Sequence, residues 1–116
     1  MSSYKRKIPI DINCGINVAL KVIGSKWKLC IIELINKGIS RPRDLNKKIT
    51  NINKRVLQQQ LKELEMDGLI SKTIYPEVPL RAEYSLTELG ITIIPLLEQI
   101  EDWGNLYANL FEIKQS

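Results

Sequence analysis

Residues 51–70 read NINKRVLQQQLKELEMDGLI. Leu57, Leu61 and Leu64 fall at i, i+4 and i+7, so they share one face of a helix. At about 100° per residue, Arg55, Gln59 and Lys62 come out on the opposite face. Asn51 or Asn53 supplies a side-chain oxygen to cap the first free N–H groups. Asp67-Gly68 stops the helix with a residue able to take positive φ. The first two turns hold Asn, Lys, Arg and Gln and no acid, the side chains that reach phosphates and the edges of guanine and adenine. Such a face suits DNA readout. On this stretch alone, the alternative is an ordinary amphipathic helix with a solvated polar face.

The flanking segments decide between the two. Upstream, SRPRDLNKKI places Ser40 before Pro42 near a helix start, where the missing proline N–H costs nothing. A short helix over Pro42–Lys48 follows, anchored by Leu45 and Ile49, with residues 50–53 as the turn into the long helix. Two helices joined so closely, the second polar on its outer face, form a helix-turn-helix. Before it, Lys26–Lys37 carries Trp27, Leu29, Cys30, Ile31, Leu34 and Ile35 as an apolar stripe, with Ser25 as its cap and Cys30 as a core residue. A first helix is expected over Asn13–Ile23, closed by Gly24-Ser25. Residues 1–12 read as a flexible basic arm, with Lys5, Arg6 and Lys7.

Downstream of Gly68 the period changes from helical to alternating. Leu69–Tyr75 and Ala82–Leu86 read as two strands, with Ile70, Thr73 or Ile74, Tyr84 and Leu86 facing inward. Pro76 and Pro79 in the PEVPLR loop stop pairing and stiffen the turn. A hairpin directly after a helix of this kind is a wing, with Arg81 at its tip and Lys72 on its first strand. The last helix is expected over about 87–113, capped by Thr87 and bent at Pro95. Leu97, Ile100, Trp103, Leu106, Tyr107 and Leu110 form a stripe longer than one small domain needs to cover, which points to a homodimer interface shared with the first helix. The fold class is therefore α+β, mainly α: a winged helix-turn-helix in one domain over 13–116, with terminal helices forming the dimer interface.

Charge distribution agrees with this division. The net charge is +4, but residues 1–87 hold sixteen Lys/Arg against eight Asp/Glu, and residues 88–116 hold one against five. A basic block followed by an acidic, apolar tail suits a polyanion-binding part and an association part. The chain has no histidine, and its two cysteines, Cys14 and Cys30, lack metal-ligand spacing. Zinc sites of the Cys/His type and histidine-based dyads or triads are thereby removed, and no Gly-rich phosphate loop suggests a nucleotide cofactor. Neither an enzyme, a metal site nor a cofactor is expected. No apolar run is long enough for a transmembrane helix, and MSSYKRKIPIDIN has no apolar stretch after its basic residues, so the expected location is cytoplasmic.

The string KELEMDGLISKTIYPEVPLRAEYSLTELG at 62–90 closely resembles the winged-helix transcription regulators of the HxlR type. The likeness extends back through Cys14, Ile23-Gly24-Ser25-Lys26-Trp27 and Arg43-Asp44-Leu45, and forward to Trp103-Gly104. It implies a dimeric bacterial or archaeal DNA-binding protein. The helix Asn53–Asp67 then enters the major groove, Pro76–Arg81 forms the wing on the minor groove or backbone, and the terminal helices build the dimer. Several members of that family respond to oxidants or electrophiles through an N-terminal cysteine, which makes Cys14 a candidate sensor. A thiol at a helix start also feels the positive end of the dipole. Glycine follows Cys14 where the family commonly has proline.

The expectation is thus a homodimeric regulator of transcription on a pseudo-palindromic duplex site. Asn53, Lys54, Arg55, Gln58, Gln59 and Lys62 are the candidates for groove contacts. Arg55 suits guanine O6/N7 and Gln59 suits adenine N6/N7. Arg41, Arg43, Lys47, Lys48, Lys72 and Arg81 are assigned to phosphate. The competing reading is a winged-helix protein-interaction module that never binds DNA. The sequence names no small-molecule effector, operator or direction of regulation.

Overall fold

A computed structural model describes residues 14–112, so the basic arm at 1–12 and the end of the chain from 113 lie outside the described residues. Six helices and two strands follow in the order α1 (Gly15–Ile23), α2 (Lys28–Asn36), α3 (Pro42–Lys48), α4 (Lys54–Met66), β1 (Ile70–Tyr75), β2 (Arg81–Leu86), α5 (Glu88–Ile91) and α6 (Ile93–Leu110). The class is mainly helical with a small antiparallel wing, as the sequence implies.

The core is one apolar cluster to which every layer contributes. Leu57, Leu61 and Leu64 of α4 pack with Ile31, Ile32 and Ile35 of α2, Leu45 of α3 and Leu69, Ile70 and Tyr84 of the hairpin. Ile49 and Ile52 close it beneath the turn between α3 and α4. In that turn Asn51 has φ 68°, a left-handed conformation that asparagine tolerates better than most residues. Asn53 is the cap of α4: its Oδ1 accepts from Val56 N at 2.8 Å. Pro42 opens α3 at its first position.

The helix stop at the other end of α4 positions the wing. Gly68 has φ 81°, and Leu69 N donates back to Leu64 O while Gly68 N donates to Glu65 O. This pair of reversed bonds satisfies the last carbonyls and turns the chain directly into β1. β1 and β2 pair antiparallel from Ile70↔Leu86 to Tyr75↔Arg81. Tyr84 N also donates to Ser40 O at 2.8 Å, so the segment before α3 lies against β2 as a third, single-bond rung. Thr87 then ties the end of the hairpin to the end of α4. Its hydroxyl donates to Gly68 O and accepts from Gly90 N at 3.0 Å, capping α5. A Cβ on Gly90 would meet Leu69 O at 2.1 Å, so this approach requires glycine.

Several expectations are corrected here. Ser25 does not cap α2, which starts at Lys28 without a side-chain cap; its hydroxyl instead donates to Gln60 Oε1 at 2.7 Å. Cys30 is exposed rather than core, because the buried face of α2 runs through residues 28, 31, 32 and 35, and residue 30 falls on the other side. Ile74 and Thr73 are exposed, leaving Ile70 and Tyr84 as the buried strand residues and Leu86 packed beside them. The last helix is interrupted at Thr92, between α5 and α6. The break lies one turn before Pro95 because the proline lacks a donor for Ile91 O and its ring crowds that carbonyl. Pro95 thus occupies the first turn of α6, where no donor is needed.

Candidate nucleic-acid interface

Helix α4 presents one polar face to solvent, and Asn53, Lys54, Arg55, Gln58, Gln59 and Lys62 are all exposed on it. The leucine face that anchors α4 in the core leaves these side chains no inward partner. Asn53 spends its Oδ1 on the cap, which leaves its amide group as the outward-facing donor.

Two polar pairs, each spanning 35 positions, fix the rotation of α4 about its axis. Ser25 Oγ bonds Gln60 Oε1 at 2.7 Å, and Lys28 Nζ bonds Glu63 Oε1 at 2.8 Å. Lys28 is 3% exposed, a charged residue on the core face of α2. Neither pair is apparent from periodicity. The signal was a lysine in phase with Ile31, Ile32 and Ile35, which needs a carboxylate opposite it.

Between α3 and α4 lies a cleft of about 530 Å³ lined by Pro42, Arg43, Asn46, Lys47, Lys54, Leu57 and Gln58. It gathers Arg43 and Lys47, read as phosphate contacts, beside Lys54 and Gln58, read as groove contacts. Asn46, which sequence reading passed over, sits at its wall with Oδ1 buried and without a hydrogen-bond partner among the described residues. A second groove of about 470 Å³ separates Arg41, Pro42 and Arg43 from the wing loop and the start of β2 at 77–82. Lys72 is exposed on β1 opposite Tyr84, outside both clefts, and Lys48 is exposed at the end of α3.

Arg81 departs from its expected place. It is not a free cation at the wing tip but the first residue of β2, with Nη2 2.9 Å from Glu77 Oε2. Its guanidinium lies 4.1 Å from the centroid of the Tyr75 ring. The tip itself is Val78, Pro79 and Leu80, with Val78 fully exposed.

The apolar stripe of α6 divides in two. Leu97, expected at a dimer interface, is buried in the domain core, because its position on the first turns of α6 faces α2 and the hairpin cluster. Ile100, Trp103, Leu106, Tyr107 and Leu110 are exposed, as are Leu96 and Phe111. Trp103, Tyr107 and Phe111 stack along one edge with ring centroids 5.5 and 4.6 Å apart. Ile16 and Leu20 of α1 are exposed as well.

Cys14 is the half-buried residue immediately before α1, where its carbonyl accepts Val18 N. Cys30 has its thiol held above the usual range by local burial first, then by the Glu33 and Glu101 carboxylates. Among the described residues no group of acids and cysteines is placed to hold a metal ion, and no helix is long and apolar enough to cross a membrane.

A helix-turn-helix with a two-stranded wing is thus in place, and residues 22–111 match the model of the HxlR-like helix-turn-helix family. The chain belongs to the HxlR-like family. It is 42% identical over 96 residues to an HTH-type transcriptional regulator of Methanothermobacter thermautotrophicus, covering 83% of this chain and 73% of that protein. Among solved structures, a MarR-family regulator from Porphyromonas gingivalis W83 superimposes with a TM-score of 0.76 at 41% identity, covering 85% of this chain and 96% of that one. The reduced form of the redox regulator HypR superimposes with a TM-score of 0.80 at 35% identity, covering 87% and 100%. As an HxlR-like protein, the chain is a transcriptional regulator of the winged helix-turn-helix class. The resemblance carried by residues 62–90 is thereby shown.

Proposed function

We propose that the protein is a homodimer that binds a pseudo-palindromic duplex operator, each α4 lying in a major groove. The observation that carries this reading is the composition of the outer face of α4. Six exposed Asn, Lys, Arg and Gln side chains stand beside the Arg43–Lys47–Lys54 cleft. Arg55 and Gln59 read base edges, while Asn53, Lys54, Gln58 and Lys62 read or position nearby. Arg43, Lys47, Lys48, Lys72 and the exposed part of Arg41 meet phosphate. The chain from residue 13 onward acts as a single domain.

The dimer forms through the exposed apolar face of α6 with Ile16 and Leu20 of α1. Five large apolar side chains from Ile100 to Leu110 lie open on one helix, a face that association covers. Two-fold symmetry then sets half-sites about one turn, 10–10.5 bp, apart or at a multiple of it. Its operation is intracellular binding of duplex DNA rather than catalysis.

Cys14 responds to oxidant or electrophile and so couples a chemical signal to DNA binding. Its support is its place at the start of α1, beside the dimer-forming face, together with the structural likeness to a redox regulator.

Titration of the wild type with duplex DNA at several salt concentrations tests the reading. A DNA-binding regulator loses affinity steeply as salt rises, in proportion to the phosphates it neutralises. A protein-interaction module shows no such affinity at any salt.

A further inference from the structure

Glu83 stands between two arginines from different parts of the chain. Its Oε2 lies 3.3 Å from Arg41 Nε and 3.5 Å from Arg81 Nε. The shorter contact is a hydrogen bond; the longer is Coulombic, and Arg81 Nε is otherwise buried without a hydrogen-bond partner. Arg81 also pairs with Glu77 across the wing loop and stacks on Tyr75, its cross-strand neighbour. Two guanidinium groups and two carboxylates cancel in charge. They join three segments: Arg41 before α3, Glu77 in the wing loop, and Arg81 with Glu83 on β2. The Tyr84 N to Ser40 O bond lies next to them along both segments.

We infer that this network holds the wing against the helix-turn-helix, and that Arg81 and Glu83 are positioning residues for DNA recognition rather than DNA contacts. The inference rests on the DNA-binding reading above. To reach a phosphate, Arg81 has to give up two carboxylates and an aromatic face, so the exchange gains little; a cation such as Arg43, with no ion pair among the described residues, gives up only water. The fork of the guanidinium makes the contacts to Glu77 and Glu83 and the stack on Tyr75 simultaneously, which an ammonium cannot do. The wing loop therefore contributes the placement of its Val78–Leu80 tip relative to α4, and Arg81 supplies DNA with no positive charge.

The test compares Arg81→Ala, Arg81→Lys and Glu83→Gln with Arg43→Ala and the wild type. Two probes are used: a mixed-sequence duplex, and an operator selected by the wild type from a random duplex library. On the mixed-sequence duplex, Arg43→Ala lowers the slope of log affinity against log salt by about 0.9, the value for one phosphate, and Arg81→Ala leaves it unchanged. Arg81→Ala, Arg81→Lys and Glu83→Gln all reduce the ratio of operator to mixed-duplex affinity, by roughly threefold or more. A slope lowered by about 0.9 in Arg81→Ala and restored by Arg81→Lys overturns the inference, since any cation can serve a phosphate. An unchanged affinity ratio in Glu83→Gln overturns it too, and that variant keeps the side-chain shape. Wild type without salt-dependent affinity for either duplex overturns the DNA-binding reading itself, and this inference with it.

Discussion

Lys28 Nζ lies 2.8 Å from Glu63 Oε1, joining the core face of α2 to the helix that carries the side chains proposed to face DNA. The two ends are unequal: the lysine side chain is 4% exposed and the glutamate 40%. Removing the glutamate strands a buried ammonium, whereas replacing the lysine by an apolar chain of similar length removes the burden altogether. Glu63→Ala is expected to lower stability by about 3 kcal/mol, and Lys28→Met by about 1 kcal/mol or less. Urea denaturation midpoints measure both. Equal losses would show that the pair acts as an ordinary surface contact.

Asn53 caps α4 and is proposed to meet DNA, and substitution can separate the two. Its Oδ1 caps α4 through Val56 N, so Asn53→Ala is expected to cost about 1 kcal/mol of stability. Asn53→Asp keeps the cap but places a negative charge on the face proposed to meet DNA. Thermal denaturation of that variant should match the wild type, while its affinity for duplex DNA falls. Retained affinity in Asn53→Asp would remove the start of α4 from the interface.

On α6, Trp103 is 64% exposed and Leu97 7% exposed, and the two answer different questions. Trp103→Glu is expected to give a folded monomer by sedimentation, with affinity for a two-site operator lowered roughly tenfold or more. Leu97→Ala is expected to cost about 2–5 kcal/mol while the protein remains dimeric. A Trp103→Glu protein that sediments as a dimer would place the interface elsewhere.

The two cysteines should differ in reactivity. Burial, Glu33 and Glu101 raise the pKa of Cys30, which keeps it a thiol, and so less nucleophilic, at neutral pH. Cys14 is therefore expected to react first with an aromatic disulfide reagent near pH 7. The rate of Cys30 should still be rising above pH 9. Cys14→Ser should abolish the fast phase and any loss of DNA binding after oxidant. Wild-type binding unchanged by oxidant removes the sensing role.

What the sequence made legible were features stated by local chemistry. Pro42 marks the start of α3, Gly68 the stop of α4, and Leu57, Leu61 and Leu64 the buried face, and all three stand as read. What it hid depends on partners distant along the chain. The partner of Lys28 is not legible because its glutamate is 35 residues away. Arg81 reads from the sequence as a free cation at the wing tip because the sequence gives charge by sign alone, whereas Glu77, Glu83 and Tyr75 meet it only once the hairpin forms. Leu97 and Ile100 share one stripe in sequence, and only the packing of α2 against α6 divides core from open face. Cys30 was misplaced for the same reason, since a broad apolar stripe does not reveal its own centre.

The central claim is that the outer face of α4 reads base sequence while the cations beside it hold the backbone. The most direct measurement is the affinity of Arg55→Ala and Lys47→Ala for a selected operator and for a mixed-sequence duplex. Arg55→Ala is predicted to lose about 1–3 kcal/mol on the operator and much less on the mixed duplex, so that discrimination falls. Lys47→Ala is predicted to weaken both alike, with a salt slope smaller by about 0.9. Equal losses on the two duplexes for both variants would contradict the account.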